Sequence, residues 1–69
     1  MEHILDDPIL LTIPQAARKL GIGRSLAYEL IAAGRLEVIH IGRAARVPLE
    51  AVYDFVESQR EDAAVRGRR

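Results

Sequence analysis

Apolar residues fall along this chain in two rhythms, and the change from one to the other lays out its elements. Ala16, Ala17 and Leu20 mark one stripe at helical spacing. Thr12-Ile13-Pro14-Gln15 just ahead of them is a helix start: a threonine cap, an early proline whose missing amide needs no partner, and a glutamine three residues after the cap. A first helix is therefore expected from about Ile13 to Leu20, broken by Gly21-Ile22-Gly23. A second starts at Arg24, with Gly23 as a tolerable cap, and runs to Ala33, where Gly34 stops it. Ala27, Leu30 and Ile31 carry its buried face, while Arg24, Ser25, Tyr28 and Glu29 point away from the core. Leu26 falls between the two faces.

The rhythm then shortens. Val38-Ile39-His40-Ile41 reads as a strand, with Ile39 and Ile41 on one face and Val38 and His40 on the other. Gly42-Arg43-Ala44-Ala45 predicts a four-residue return, and Arg46-Val47 the partner strand, with His40 and Arg46 on the same side. Pro48 ends that strand and admits a third helix. It is expected to bury Leu49, Val52, Phe55 and Val56 and to show Glu50, Asp54, Glu57 and Ser58 to water, with acids in its early turns suiting the helix dipole. Leu10 and Leu11 predict a short extended piece over the core. The expected fold class is mainly α with a small β-hairpin: a winged helix-turn-helix with a two-stranded wing and a third helix. Residues 1–9 are expected to be a flexible N-terminal segment and residues 10–60 the folded domain. Past Gln59 the apolar pattern fades, so residues 61–69 predict a basic tail, frayed or disordered.

Size and composition narrow the possibilities. Sixty-nine residues make one small domain, which buries only roughly 60% of its unfolded surface and must use every layer of its core. With no cysteine, neither a disulfide nor a thiolate metal site is available. His3 and His40 lack a third ligand at any familiar spacing, so no metal or other cofactor is expected. The acidic start (Glu2, Asp6, Asp7) does not look like a signal peptide, and no apolar run nears the roughly 18 residues of a membrane span. A soluble, cytoplasmic chain without a membrane partner is expected. An enzyme finds no support: there is no nucleophile with a base at useful spacing, no phosphate-cradling loop and no pair of inward carboxylates.

Net charge is zero, but its distribution is uneven. Residues 1–14 sum to −3, residues 15–49 to +4, residues 50–62 to −4, and the tail with Arg66, Arg68 and Arg69 to +3. A phosphate backbone responds to local potential, and the basic stretch coincides with the two short helices and the hairpin. Two such helices joined by a glycine-containing turn of about three or four residues are the sequence form of the helix-turn-helix DNA-binding motif. The hairpin beside it is then a wing, able to touch the backbone or minor groove.

The segments Leu11-Thr12-Ile13-Pro14-Gln15-Ala16-Ala17, Leu20-Gly21-Ile22-Gly23-Arg24-Ser25, Tyr28-Glu29-Leu30-Ile31, Gly34-Arg35-Leu36, Ile41-Gly42-Arg43 and Arg46-Val47-Pro48 stand in a joint order and spacing. In this the chain resembles, over residues 10–58, the excisionase-type family of small winged-helix proteins, themselves similar to the DNA-binding domain of MerR regulators. The resemblance implies binding of short double-stranded DNA sites, bending of attachment-site DNA in phage or integrative elements, and contact with a site-specific integrase that favours excision. Other family members regulate transcription. The chain departs from the family's common residues at Leu26, Glu29 and Glu37. A leucine can pack on a thymine methyl, while a glutamate repels phosphate or accepts from a cytosine amino group.

The candidate DNA-binding residues are Arg18, Gly23, Arg24, Ser25, Tyr28, Arg43 and Arg46. Arg24 and Ser25 lie in the first turn of the second helix, where side chains reach base edges and the helix end attracts phosphate; Ser25 could instead only assist the cap. Tyr28 either donates its hydroxyl to a phosphate or is a half-buried core residue. Arg43 at the hairpin tip and Arg46 on the second strand are the wing candidates, with solubility as the competing reading. His40 either helps to hold the wing or is simply exposed. Arg18 and Lys19 fit the place where the first helix would cross the backbone, although surface charge explains Lys19 equally. So short a motif covers few base pairs, which predicts adjacent copies on repeated sites. A protein-interaction module, built on the acidic third helix and basic tail, is the alternative from another class.

Overall fold

A computed structural model describes residues 9–67. The expectation of a flexible segment at the N-terminus falls almost wholly on residues outside that range. Strand β1 (Leu10–Leu11) is followed by helices α1 (Ile13–Leu20) and α2 (Arg24–Ala32), strands β2 (Ile39–Ile41) and β3 (Ala44–Pro48), and helix α3 (Leu49–Gly67). The chain is mainly α with a winged hairpin, as its pattern predicts.

Each element of the helix pair starts and stops for a local reason. At the head of α1 the Gln15 amide donates to Thr12 Oγ1 at 3.2 Å, and the Thr12 amide donates to Gln15 Oε1 at 2.9 Å. This reciprocal box satisfies two amides that the helix itself cannot. At its foot Gly21 takes a left-handed φ of 71°. That turn lets the Gly21 amide reach the Arg18 carbonyl at 3.1 Å and the Ile22 amide reach the Ala17 carbonyl at 3.0 Å. The two bonds form a Schellman stop, and a Cβ at residue 21 would strain the backbone although no atom lies close enough to obstruct it. Helix α2 ends in the same manner: the Gly34 amide donates to Ile31 at 3.0 Å and the Arg35 amide to Leu30 at 2.8 Å. Ala33 is its cap, so the helix closes one residue before the expected end.

The sheet differs from expectation in three respects. It has three strands in the order β1-β3-β2, all antiparallel, because β1 pairs with β3 through Leu10↔Pro48 and Leu11↔Val47. The hairpin loop is two residues, Gly42-Arg43, not four; Ala44 and Ala45 belong to β3. Gly42 has a φ of 62° and Arg43 is not left-handed, the pattern of a type II′ turn, whose twist suits the flanking strands. The register is Ile39↔Arg46, His40↔Ala45 and Ile41↔Ala44. His40 and Arg46 therefore lie on opposite faces, contrary to the sequence reading. A loop with an even number of residues pairs odd positions with even ones, and directly opposed residues share a face. Val47 and Leu11, almost fully buried, define the core side, which Ala45 joins. Ile39, Ile41 and Arg46 are on the other.

The core draws on every element but β2, and on the loop after α2: Leu11, Ile13, Ala16, Ala17, Ala27, Leu36, Val47, Ala51 and Val52. Four of these are alanines, and their small side chains let α1 come close to both α2 and α3. Among the described residues no polar or charged side chain is buried, so no hydrogen-bond network is needed inside. In α3 the buried stripe is Ala51 and Val52 with half-buried Leu49 and Phe55; Val56, expected inside, is 39% exposed. Phe55 and Ala51 are one turn apart on the same face, and together they turn Val56 outward. The amide of Leu49 donates to the Ile9 carbonyl at 2.8 Å, which ties the start of α3 to the lead-in of β1. Beyond residue 60, where the apolar pattern fades, the helix continues to Gly67. Arg35 braces this extension: its guanidinium donates to Gln59 Oε1 and approaches Asp62 at 3.8 Å.

Candidate nucleic-acid interface

Helix α2 and the β2–β3 hairpin are each held mainly by one neighbour, α2 by α1 and β2 by β3. Helix α2 keeps its outer face free, and in the hairpin the exposed residues are those at its tip, His40, Ile41, Gly42 and Arg43. In α2 only Ala27 is fully buried, with Leu30 and Ile31 half-buried against the core. Arg24, Ser25, Leu26, Tyr28 and Glu29 are all exposed, which assigns Leu26, ambiguous by pattern, to the outer surface at 44% exposure. Tyr28 is 52% exposed and is not a core residue.

The beginnings of the two helices differ, and the difference points to α2. Helix α1 has its amides closed by the Thr12–Gln15 box. Helix α2 starts from Gly23, extended at φ −76° and ψ 164°, which has no side chain to offer; no side chain caps it, and no acid stands in its first turn. Ser25 makes no cap bond either, so the reading of Ser25 as a capping assistant is not what the structure contains. The first amides of α2 and the positive end of its dipole are open to solvent, the geometry that accepts a phosphate oxygen. Arg24 adds a full positive charge at the same end.

Arg18 and Lys19 are exposed in the last turn of α1, one glycine turn ahead of α2. With Gln15 and Leu11 they line a shallow groove of about 340 Å³. In the wing, Arg43 is exposed at the tip of the two-residue turn. Arg46 is half-buried beside Ile39, and its guanidinium donates to the Ala45 carbonyl at 2.9 Å. Arg43 is thus the freer of the two cations. His40 is exposed on the opposite face. The structure brings Gly23, Arg24, Ser25 and Tyr28 onto one helix surface, while Arg18 belongs to α1 and Arg43 and Arg46 to the wing. Arg35 carries the chief role that sequence reasoning passed over. Its partners lie some two dozen residues downstream, a separation no local spacing reveals.

A short helix with an open N-terminus, presented beside a hairpin with an arginine tip, defines a winged helix-turn-helix. The family model described as "Helix-turn-helix domain" matches residues 10–60. An excisionase of Streptomyces ambofaciens is 46% identical over 56 residues, which cover 81% of this chain and 90% of that protein. A probable excisionase of Saccharopolyspora erythraea is 43% identical over 51 residues, 74% of this chain; the chain spans about half of that relative, 52%. A putative DNA-binding protein of Mycobacterium tuberculosis is 33% identical over 54 residues, covering 78% of this chain and 69% of its own. The chain belongs to the excisionase-type family of small helix-turn-helix DNA-binding proteins. Among the described residues no helix is long and apolar enough to cross a membrane, and no group of His, Cys, Asp and Glu is placed to hold a metal ion.

Proposed function

We propose that this protein is an excisionase: a non-enzymatic, cytoplasmic factor that binds and bends attachment-site DNA and directs a site-specific integrase toward excision. The observation that carries this reading is the open, uncapped start of α2 on an exposed helix face, in a chain so similar to the Streptomyces excisionase over most of both lengths. In this reading α2 enters the major groove. Arg24 and Ser25 reach base edges or the nearest phosphate, the Gly23 turn lets the helix end approach the backbone, and Tyr28 donates its hydroxyl to a phosphate. Arg43 contacts the backbone from the wing, Arg46 supports it there, and Arg18 touches the strand that α1 crosses.

One such domain covers too few base pairs for useful specificity, so several copies load side by side on repeated sites. The charge pattern supports this. Glu50, Asp54, Glu57, Glu61 and Asp62 are exposed on α3 beside a single exposed base among residues 49–64, Arg60, whereas Arg18, Lys19, Arg24, Arg43 and Arg46 lie in α1, α2 and the wing. The acidic helix of one copy then faces the basic surface of the next, and the stacked copies bend the duplex.

Gel-shift titration with DNA flanking the protein's own gene, at several salt concentrations, tests the reading. Affinity is expected to fall steeply with salt, with a log–log slope of roughly 0.9 per phosphate contact. Absence of any shift at low salt overturns it. Binding confined to a promoter, with no effect on integrase-catalysed excision, replaces the excisionase with a transcription regulator of the same fold.

A further inference from the structure

Helix α2 carries one acid, and its position is the least expected feature of the surface. At roughly 100° per residue, Ser25, Glu29 and Ala32 cluster on the side opposite buried Ala27. They form the centre line of the outward face, and Glu29 is its longest side chain. The residues one helical turn away from it in either direction are Ser25, Leu26, Ala32 and Ala33. None carries a positive charge, so no pair within the helix neutralises the carboxylate. Arg35, the nearest base downstream, is engaged with Gln59 and Asp62. Among the described residues no cation lies within ion-pair distance of Glu29.

An unpaired carboxylate on a surface meant for a polyanion weakens binding everywhere unless it is held away from phosphates and meets a donor. The geometry supplies the first condition. Along the centre line Ser25 precedes Glu29 and Ala32 follows it, and these short side chains let the helix approach closely, so the carboxylate reaches toward the floor of a groove. Arg24 and Tyr28, on the flank, lie nearer the walls. The second condition limits the partner. A carboxylate only accepts hydrogen bonds, and the donors on the major-groove floor are the amino groups of cytosine and adenine. Adenine sets its N7 acceptor beside the amino group, where it repels the carboxylate. In a C·G pair the amino group has an acceptor on one side only, guanine O6, and the C5–H edge of cytosine on its other side leaves room for the carboxylate.

We propose that Glu29 is a specificity-determining residue whose carboxylate accepts a hydrogen bond from the N4 amino group of one cytosine in each bound site. This rests on the reading of α2 as the helix that enters the groove. Four residues of helix rise about 6 Å, so the cytosine lies about two base-pair steps from the base that faces Ser25.

A double-mutant cycle between protein and DNA tests it. The bound fragment from the flanking DNA is altered one base pair at a time, and each duplex is titrated with the wild-type protein and with Glu29→Ala. Circular dichroism verifies that the variant is folded, as expected for an exposed site. For the wild type, replacing one particular C·G pair by T·A is expected to weaken binding by roughly 5- to 100-fold. In Glu29→Ala the same replacement is expected to change affinity by less than about twofold, while penalties at the other positions persist. Identical penalties in both proteins at every position, with affinity raised uniformly in the variant, overturn the proposal and leave Glu29 as a repelling surface charge. That result leaves the DNA-binding reading intact, whereas failure of the wild type to bind any flanking fragment overturns both.

Discussion

At the scale of single residues, the cations of this protein divide by what already holds them. Arg35 is spent on α3, and Arg46 is partly turned back onto its own strand. Arg24 and Arg43 are exposed, at the start of the groove helix and at the wing tip. Different consequences follow from their removal. Arg43→Ala should weaken binding to specific and random DNA alike and make the salt dependence shallower by about one phosphate contact. Arg24→Ala should cost about 1–3 kcal/mol on the true site and relax the preference there, as expected of a side chain reaching a base edge. Parallel titrations on both kinds of DNA decide; equal losses for Arg24→Ala on each would move that residue to the phosphates.

At the scale of elements, the third helix needs explanation, because over residues 56–64 its described side chains are all exposed. Nineteen residues make it about 28 Å long, yet over residues 49–64, whose side chains are described, the buried and half-buried positions end at Phe55. Exposed charge pairs such as Glu57–Arg60 at 3.5 Å add little. Among residues 56–64 the brace from Arg35 to Gln59 and Asp62 ties the helix to the rest of the fold. Arg35→Ala should therefore leave global stability within about 0.5 kcal/mol, as for surface changes generally. It should also speed amide hydrogen exchange over residues 59–64 relative to residues 49–55. Unchanged exchange there would show that the helix holds itself. If α3 is the side that meets the next copy on DNA, the same variant should also lower cooperativity without changing single-site affinity.

At the scale of the whole molecule, stability rests on few large side chains. Leu11, Leu36 and Val47 are the largest fully buried ones, and the helices contribute mainly alanines. A chain of this length is expected to be stable by about 3–10 kcal/mol in total. Leu36→Ala removes about 2–5 kcal/mol, a large part of that, and should lower the thermal midpoint steeply or leave the protein unfolded at ordinary temperatures. Calorimetry or a melt followed by circular dichroism measures it. The large apolar residues left exposed, Ile9, Leu26, Tyr28, Ile41, Tyr53 and Val56, are spread over the lead-in to β1, α2, the wing and α3 instead of lining one element as a dimer seam would. Sedimentation should find a monomer, and two-site duplexes should fill cooperatively and bend. A stable dimer without DNA, or independent filling of neighbouring sites, contradicts side-by-side loading.

Most of the architecture was legible in the chain because its signals are local. A threonine box, two left-handed glycines and a helical apolar stripe act within a few residues of one another, and α1 and α2 follow from them. The exposed face of α2, with Arg24, Ser25, Tyr28 and Glu29, follows from the same periodicity. What tertiary structure decided lies where distant segments meet. Leu10–Leu11 became a strand only because β3 offered an edge to pair with, and that pairing set the core side of the sheet. Gly42 marked a turn, but the loop length was settled by the register of β2 on β3; the separation of His40 from Arg46 follows from any even-numbered loop, the expected four-residue one included. Ala51 replaced Val56 inside because the body of the protein meets α3 along one line. The helix outlasted its apolar pattern where Arg35 reached across to it. Local chemistry specifies where an element begins and ends, and long-range packing selects which of its faces is buried.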